Sequence, residues 1–390
     1  MPGQTVFIIA GEASGDLHAS HLARKLLTLD PGLTLKGMGG DNMRRAGVDI
    51  LVDASELAVV GLVEVLANYR TIKGVLENLK QTITDTPPDL LILVDYQEFN
   101  QRLAAYAKSI GVKVLFYIGP QVWAWRPGRV YKMGRIVDQM AVIFPFEVDL
   151  YKDANVPVEF TGHPLVEEVI ANKSPAQARE LLELDEQTTV GIFPGSRKGE
   201  INRLLPIQLA TAKKLLKQNP DLQFVLPLAE SLNDEVLDPF IEEIVSLRIS
   251  VINGRTYDVM QACDAIITAS GTATLEIALM GIPMAIVYKI SWLSYFILKF
   301  MVSIDRIGLV NIVADKFVVK EFLQGKARPK KIAAEILHIL SDKNYNDTMR
   351  QELSLIRDKL GDSSGTTHVA QLAYDMMNKQ SAYRYTAPRE

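Results

Sequence analysis

The chain has 390 residues, with 42 Lys and Arg against 46 Asp and Glu, for a formal net charge of -4. At about 100–200 residues per domain this length favours two domains. The 48% apolar and 23% charged shares are those of an ordinary folded chain, and the acidic balance speaks against a general nucleic-acid binder. A single cysteine, Cys263, excludes an internal disulfide framework and a Cys-rich metal site, and fits a reducing, cytoplasmic compartment.

The first apolar run covers only Val6 to Ala10, lacks preceding basic residues and is followed by Glu12 and Asp16, so it reads as a strand rather than a secretion signal. From there, short β-rich runs alternate with helical patterns, as in α/β architecture with parallel sheets. The predicted strands of the first half are residues 5–10, 33–38, 90–95, 112–117, 139–143 and 158–161. Those of the second half are 190–193, 223–228, 249–252, 265–268 and 284–288. Between the halves, the polar stretch of about 167–187 contains Lys173-Ser174-Pro175, an N-cap opening a short helix, and the hinge is expected there. The pattern predicts two Rossmann-like, doubly wound domains, 1–168 and 169–345, facing a central cleft. C-terminal helices over 346–390, able to pack back on the first domain, end in a loose tail beyond Asn378. The longest apolar stretch, 290–304, falls short of the roughly 20 residues of a transmembrane helix and is interrupted by Lys299, so it can lie on a membrane but not span one.

Two strand-to-helix junctions organise the chemistry: FIIAGEASGD, ending at Asp16, and VGIFPGSRKGE, ending at Glu200. Each exposes backbone N–H groups at a helix start, where an anion can bind. In the first, Gly15 permits close approach, Ser14 and Asp16 can cap the helix, and Glu12 and Asp16 stand where α/β folds bind ligands. The spacing is not GxGxxG, so a dinucleotide site is not indicated. GMGG at 37–40 ends a further strand with backbone crowding. Asp95 closes the most apolar strand of the first half; it either serves as a general base with a raised pKa or caps the next helix, and the residues alone do not choose. In VWAWRPGRVYKMGR, Trp123 lies beside Arg126, Arg129, Lys132 and Arg135, a cationic stripe suited to phosphate or else a solvated helix face.

In the second half, Gly195, Ser196 and Arg197 stand at a helix entrance able to hold a diphosphate, without Walker A spacing. Ser270, Gly271 and Thr272 form a second small-residue helix start, and Glu276 lies a turn further in, where a carboxylate can accept from ribose hydroxyls. Together they favour a nucleotide diphosphate. The five histidines form no HExxH and no two aspartates are one residue apart, so neither a metal nor any other cofactor is expected.

GEASGD, GMGG, the segment from Val122 through Arg126 with Arg129, FPFE at 144–147, TGHPL at 161–165, PGSRKGEI and SGTATLE, in this order and spacing, resemble the lipid-A-disaccharide synthases. The likeness runs from about Thr5 to past Glu321. It implies a glycosyltransferase B fold and an inverting transfer of 2,3-diacylglucosamine from UDP-2,3-diacylglucosamine to 2,3-diacylglucosamine 1-phosphate, giving the β-1,6-linked disaccharide and UDP. By position it implies Asp95 as the acidic residue needed for catalysis, with Glu12 and Asp16 beside it. Arg197 becomes the nucleotide-site arginine, Asn311 and Glu321 join the donor side, and Arg126 or Arg129 binds the acceptor phosphate. The chain departs from the family pattern at Gln97 and Val310, where proline is expected, and at Glu98, where aspartate is. Acylated substrates imply a peripheral protein on the cytoplasmic face of the inner membrane, touching lipid through 57–69 or 290–304. No nucleic-acid partner is expected, and a homodimer is left open. The rivals are a UDP-N-acetylglucosamine 2-epimerase-like enzyme and a non-catalytic nucleotide-sugar sensor.

Overall fold

The structure, a computed structural model, describes residues 3–54, 69–120, 128, 130–229, 232–289 and 306–378. It divides into two compact units, one of residues 1–164 with 361–390 and one of residues 165–360. Each is α/β and is built on one parallel sheet.

The first unit carries β1 (Thr5–Ala10), β2 (Thr34–Gly39), β3 (Asp49–Asp53), β4 (Leu90–Val94), β5 (Val114–Tyr117), β6 (Gln139–Val142) and β7 (Val158–Phe160). Their order across the sheet is β3-β2-β1-β4-β5-β6-β7. The order runs outward from β1 in both directions, so β1 and β4 form a topological switch point, with a crevice beyond their C-terminal ends. Every residue of β4 is buried, because helices cover both faces of a parallel sheet. The helix Ala13–Leu29 buries Ala19, Leu22, Ala23 and Leu26, one face at helical spacing. Against that helix packs the last described one, Gly365–Asn378, and the Lys113 ammonium donates to the Met376 carbonyl at 2.7 Å.

The second unit carries β8 (Thr189–Phe193), β9 (Gln223–Leu228), β10 (Ile249–Asn253), β11 (Ala265–Ala269), β12 (Met284–Tyr288) and β13 (Glu321–Leu323), ordered β10-β9-β8-β11-β12-β13. Here the switch point lies between β8 and β11. The buried Gln208, on the helix Lys198–Leu216, ties these two strands together by donating to the carbonyls of Phe193 at 3.2 Å and Ile267 at 3.1 Å.

The two edge strands β3 and β13 lie outside the runs read from the sequence. In DILVD only Val52 is buried, and in EFL only Phe322 is; their apolar runs, Ile50 to Val52 and Phe322 to Leu323, are too short to read as strands. The division of the chain also differs from the expected bounds. Ser174 is an N-cap as expected, accepting from Gln177 N and closing a capping box. The stretch around it is nonetheless part of the second unit rather than a linker. Val166 and Val169 are buried and their carbonyls accept from the Arg357 guanidinium at 3.2 and 3.0 Å, while Arg179 reaches the Ala262 carbonyl and Asp264. The helix Lys343–Leu360 likewise stays with the second unit, and the chain returns to the first at Gly361. The apolar stretches 57–68 and 290–304 and the tail beyond Asn378 lie outside the described residues. Among the described residues no helix is long and apolar enough to cross a membrane.

Candidate functional site

In the first unit the switch point brings Glu12, at the end of β1, beside Asp95, at the end of β4. Asp95 and Tyr96 both have left-handed backbone conformations, with φ of 50° and 46°. Burial raises the Asp95 carboxyl to about 6, and the negative charge of Glu12 adds to this; the Tyr96 amide and His18 oppose it. A carboxylate so placed can take a proton near neutral pH. Ser14 is exposed on the first turn of the following helix, and Gly15 lies against the end of β4.

Asp16 has a different occupation. One oxygen accepts from the amides of Gly40 at 2.6 Å and Met43 at 3.1 Å, and the other from Asn42 at 3.1 Å. The side chain is 5% exposed and caps the helix Asp41–Arg45 that follows the GMGG turn. Geometry thus gives Asp16 a structural task. Trp123, Arg126 and Arg129, expected on the acceptor side, lie outside the described residues.

In the second unit a pocket of about 950 Å³ opens at the C-terminal ends of β8 and β11. Gly195, Ser196 and Arg197 line one wall, and Ser270, Gly271, Thr272 and Glu276 another. The size suits a ligand as large as a nucleotide sugar. Gly195 has φ of 109°, and a Cβ there would stand 2.3 Å from Oε2 of Glu200. That oxygen accepts from the Ser196 amide at 3.2 Å, and Oε1 lies 3.7 Å from Arg197 Nη1. The Arg197 side chain is otherwise 73% exposed.

Glu276 faces the pocket with Tyr257, whose hydroxyl donates to Oε1 at 3.2 Å. Burial raises the Glu276 carboxyl and the charge of Glu168 raises it further, while the Tyr257 bond lowers it. Tyr257 itself is pushed up by burial and by Glu276, so it stays a donor. Tyr257, Glu168 and Glu200 escape the sequence reading as site groups. Tyr257 opens a helix without a motif, and Glu200 reads as one residue of a helix's first turn.

Ser270 is tied down: its hydroxyl donates to the Ile307 carbonyl at 3.1 Å. Asn311 and Glu321, expected as donor-binding groups, are not among the residues that line this pocket. Asn311 is fully buried, donates to Val319 O and Glu321 Oε1, and accepts from the amides of Val318 and Val319. Glu321 also accepts from the amides of Ile307 and Gly308 at 3.0 and 2.9 Å. The pair therefore fixes the loop at Ile307 and Gly308 that carries the Ser270 acceptor, one step behind the pocket wall. Among the described residues no group of three or more His, Cys, Asp or Glu could hold a metal ion.

The family model described as lipid-A-disaccharide synthetase matches residues 6–373. The lipid-A-disaccharide synthase of Geobacter metallireducens is 50% identical over 380 residues, covering 97% of this chain and 99% of that protein. That of Geobacter sulfurreducens is 51% identical over 376 residues, covering 96% and 98%. Among solved structures, UDP-GlcNAc 2-epimerase from Neisseria meningitidis bound to UDP-GlcNAc has a TM-score of 0.65 at 12% identity, covering 95% of this chain and all of that one, a likeness of fold alone. The chain belongs to the lipid-A-disaccharide synthetase family.

Proposed function

We propose that the protein transfers 2,3-diacylglucosamine from UDP-2,3-diacylglucosamine to the 6-hydroxyl of 2,3-diacylglucosamine 1-phosphate, with inversion, releasing UDP and the β-1,6-linked disaccharide 1-phosphate. What carries the reading is family membership across nearly the whole chain, with relatives about half identical to it. Asp95 is the general base. It removes the proton of the attacking hydroxyl, the new bond forms at the anomeric carbon, and the bond to the diphosphate breaks in the same displacement. Its raised pKa and its place beside Glu12 support this role.

In the second unit, Arg197, Gly195, Ser196 and the turn from Ser270 through Thr272 receive the diphosphate, and Glu276 accepts from the ribose hydroxyls. Cations and amides gathered around a leaving group stabilise the charge that develops on it. Asp16, Asn311 and Glu321 act behind these groups as supports. Ser14 and Gly15 stay on the acceptor side, with Trp123, Arg126 and Arg129 proposed for the acceptor phosphate. The acyl chains bring the protein to a lipid surface, and release of membrane-bound protein by high salt tests the electrostatic part of that association.

Incubation of the purified protein with both acylated sugars, followed by detection of disaccharide and UDP in equal amounts, tests the reading. Turnover of UDP-N-acetylglucosamine alone, with no disaccharide from the acylated pair, would replace it with an epimerase.

A further inference from the structure

The turn that presents Asp95 holds two consecutive residues, neither glycine, in the left-handed region. Side chains resist that conformation, so a pair of such residues persists only where the surroundings fix it. Three contacts do so. The Asp95 amide donates to the Tyr117 carbonyl at 3.2 Å. The ring of Tyr96 lies across Gly11, where a Cβ would meet its Cδ1 at 2.3 Å. The third contact comes from Asn100, on the helix Gln97–Ser109: its Nδ2 donates to the carbonyls of Asp95 at 2.7 Å and Val94 at 3.3 Å.

Asn100 is fully buried, and among the described residues its Oδ1 has no hydrogen-bond partner. A buried amide with one half unsatisfied is a poor choice for packing alone, since an apolar side chain of the same size avoids that cost. The donor half is what the site uses. It closes on the carbonyls of Val94 and Asp95, at the start of the left-handed turn.

We propose that Asn100 is a positioning residue for the transfer reaction, clamping the turn at Val94 and Asp95 so that the Asp95 carboxylate is held beside Glu12. This rests on the reading of Asp95 as the base. The titratable groups facing Asp95 are Glu12 and His18, from β1 and the helix after it, and Tyr96 beside it. Loosening the clamp lets water reach the carboxylate and separates it from Glu12, and both changes move its ionisation to lower pH.

The test compares Asn100→Leu, which keeps the size and removes the donor, with Asn100→Ser, which keeps one short donor. The measurements are kcat and KM with both acylated sugars across the acid range, and UDP affinity by calorimetry. Misplacing a catalytic group predicts a kcat loss of about 10- to 100-fold in Asn100→Leu and a smaller one in Asn100→Ser. The acid limb of the rate profile moves to lower pH and UDP affinity stays within about 2-fold, because the chemistry and not the nucleotide site is disturbed. Parental kcat and an unmoved acid limb overturn the proposal, and so does a kcat loss matched by an equal loss of UDP affinity. Should the Leu variant not fold, the Ser variant is judged by the same criteria. Asp95→Asn run alongside separates the two claims. If it keeps near-normal turnover, the base assignment itself fails; if it is inactive while both Asn100 variants behave as the parent, only the clamp fails.

Discussion

The Tyr257 hydroxyl donates to Oε1 of Glu276 at 3.2 Å, inside the pocket that opens between β8 and β11. That bond offsets part of the burial and the Glu168 repulsion that disfavour an ionised Glu276, and leaves Oε2 for a ligand hydroxyl. Tyr257→Phe removes one hydrogen bond to a charged group, worth about 1 kcal/mol, so UDP affinity falls about 3- to 10-fold. Titration calorimetry with UDP checks it, and parental affinity in the variant would remove Tyr257 from the site. In the parent protein UDP affinity should also weaken as pH falls, because the raised carboxyl of Glu276 protonates early and loses an acceptor.

Asp95 ties activity and stability to pH in opposite directions. As a base it must be ionised, so the rate is lost as pH falls through about 6. Folding favours its protonated form, since the carboxyl rises from 3.8 to about 6. That contribution to stability is complete below the lower value and disappears as pH rises through the upper one. Asp95→Asn cannot ionise and keeps the contribution, so above pH 7 it should be inactive yet more stable than the parent by about 1–3 kcal/mol. Urea unfolding at two pH values checks this. A variant that is both active and no more stable would refute the assignment.

The part of the candidate site that stands at strand ends was legible in the sequence. Asp95, Glu12, Ser196 and Ser270 stand at the C-terminal ends of apolar runs, where an open parallel sheet places its crevice. Partners contributed by distant segments were not. Nothing in the sequence pairs Asp16 with the amides of residues 40–43, or Asn311 with Glu321, because those bonds depend on how the elements pack. Asp16 reads as a site residue because a polar side chain at a strand-to-helix turn looks alike whether it faces a ligand or the backbone, whereas Asn311 and Glu321 enter only through the family resemblance. The strands β3 and β13 were hidden by a similar limit, since their apolar runs, Ile50 to Val52 and Phe322 to Leu323, fall short of the roughly 4–8 residues that read as a strand.

The support role of Asp16 has a direct consequence. Asp16→Ala leaves three amides of residues 40–43 without their acceptor in a site that is 5% exposed, a loss of about 2–4 kcal/mol. The denaturant midpoint should drop accordingly, while the acid limb of the rate profile, set by Asp95, stays in place. Full stability combined with lost turnover would instead return Asp16 to the catalytic groups.

Glu200 occupies, with its own carboxylate, part of the cradle assigned to the diphosphate. Oε2 accepts from the Ser196 amide and fills the space over Gly195, and Oε1 lies 3.7 Å from Arg197. An incoming diphosphate therefore meets like charge at the helix start and competes for the same amide and guanidinium. The Arg197 pair is exposed and long, so giving it up costs little. Glu200→Gln keeps an oxygen for the Ser196 amide but removes the charge. UDP should then bind about 3- to 10-fold more tightly, the equivalent of about 0.6–1.4 kcal/mol, and the gain should shrink as salt screens the repulsion. Uridine, which lacks the phosphates, should bind both proteins equally. Weaker UDP binding in the variant would mean that the carboxylate shapes the loop for the nucleotide and does not compete with it.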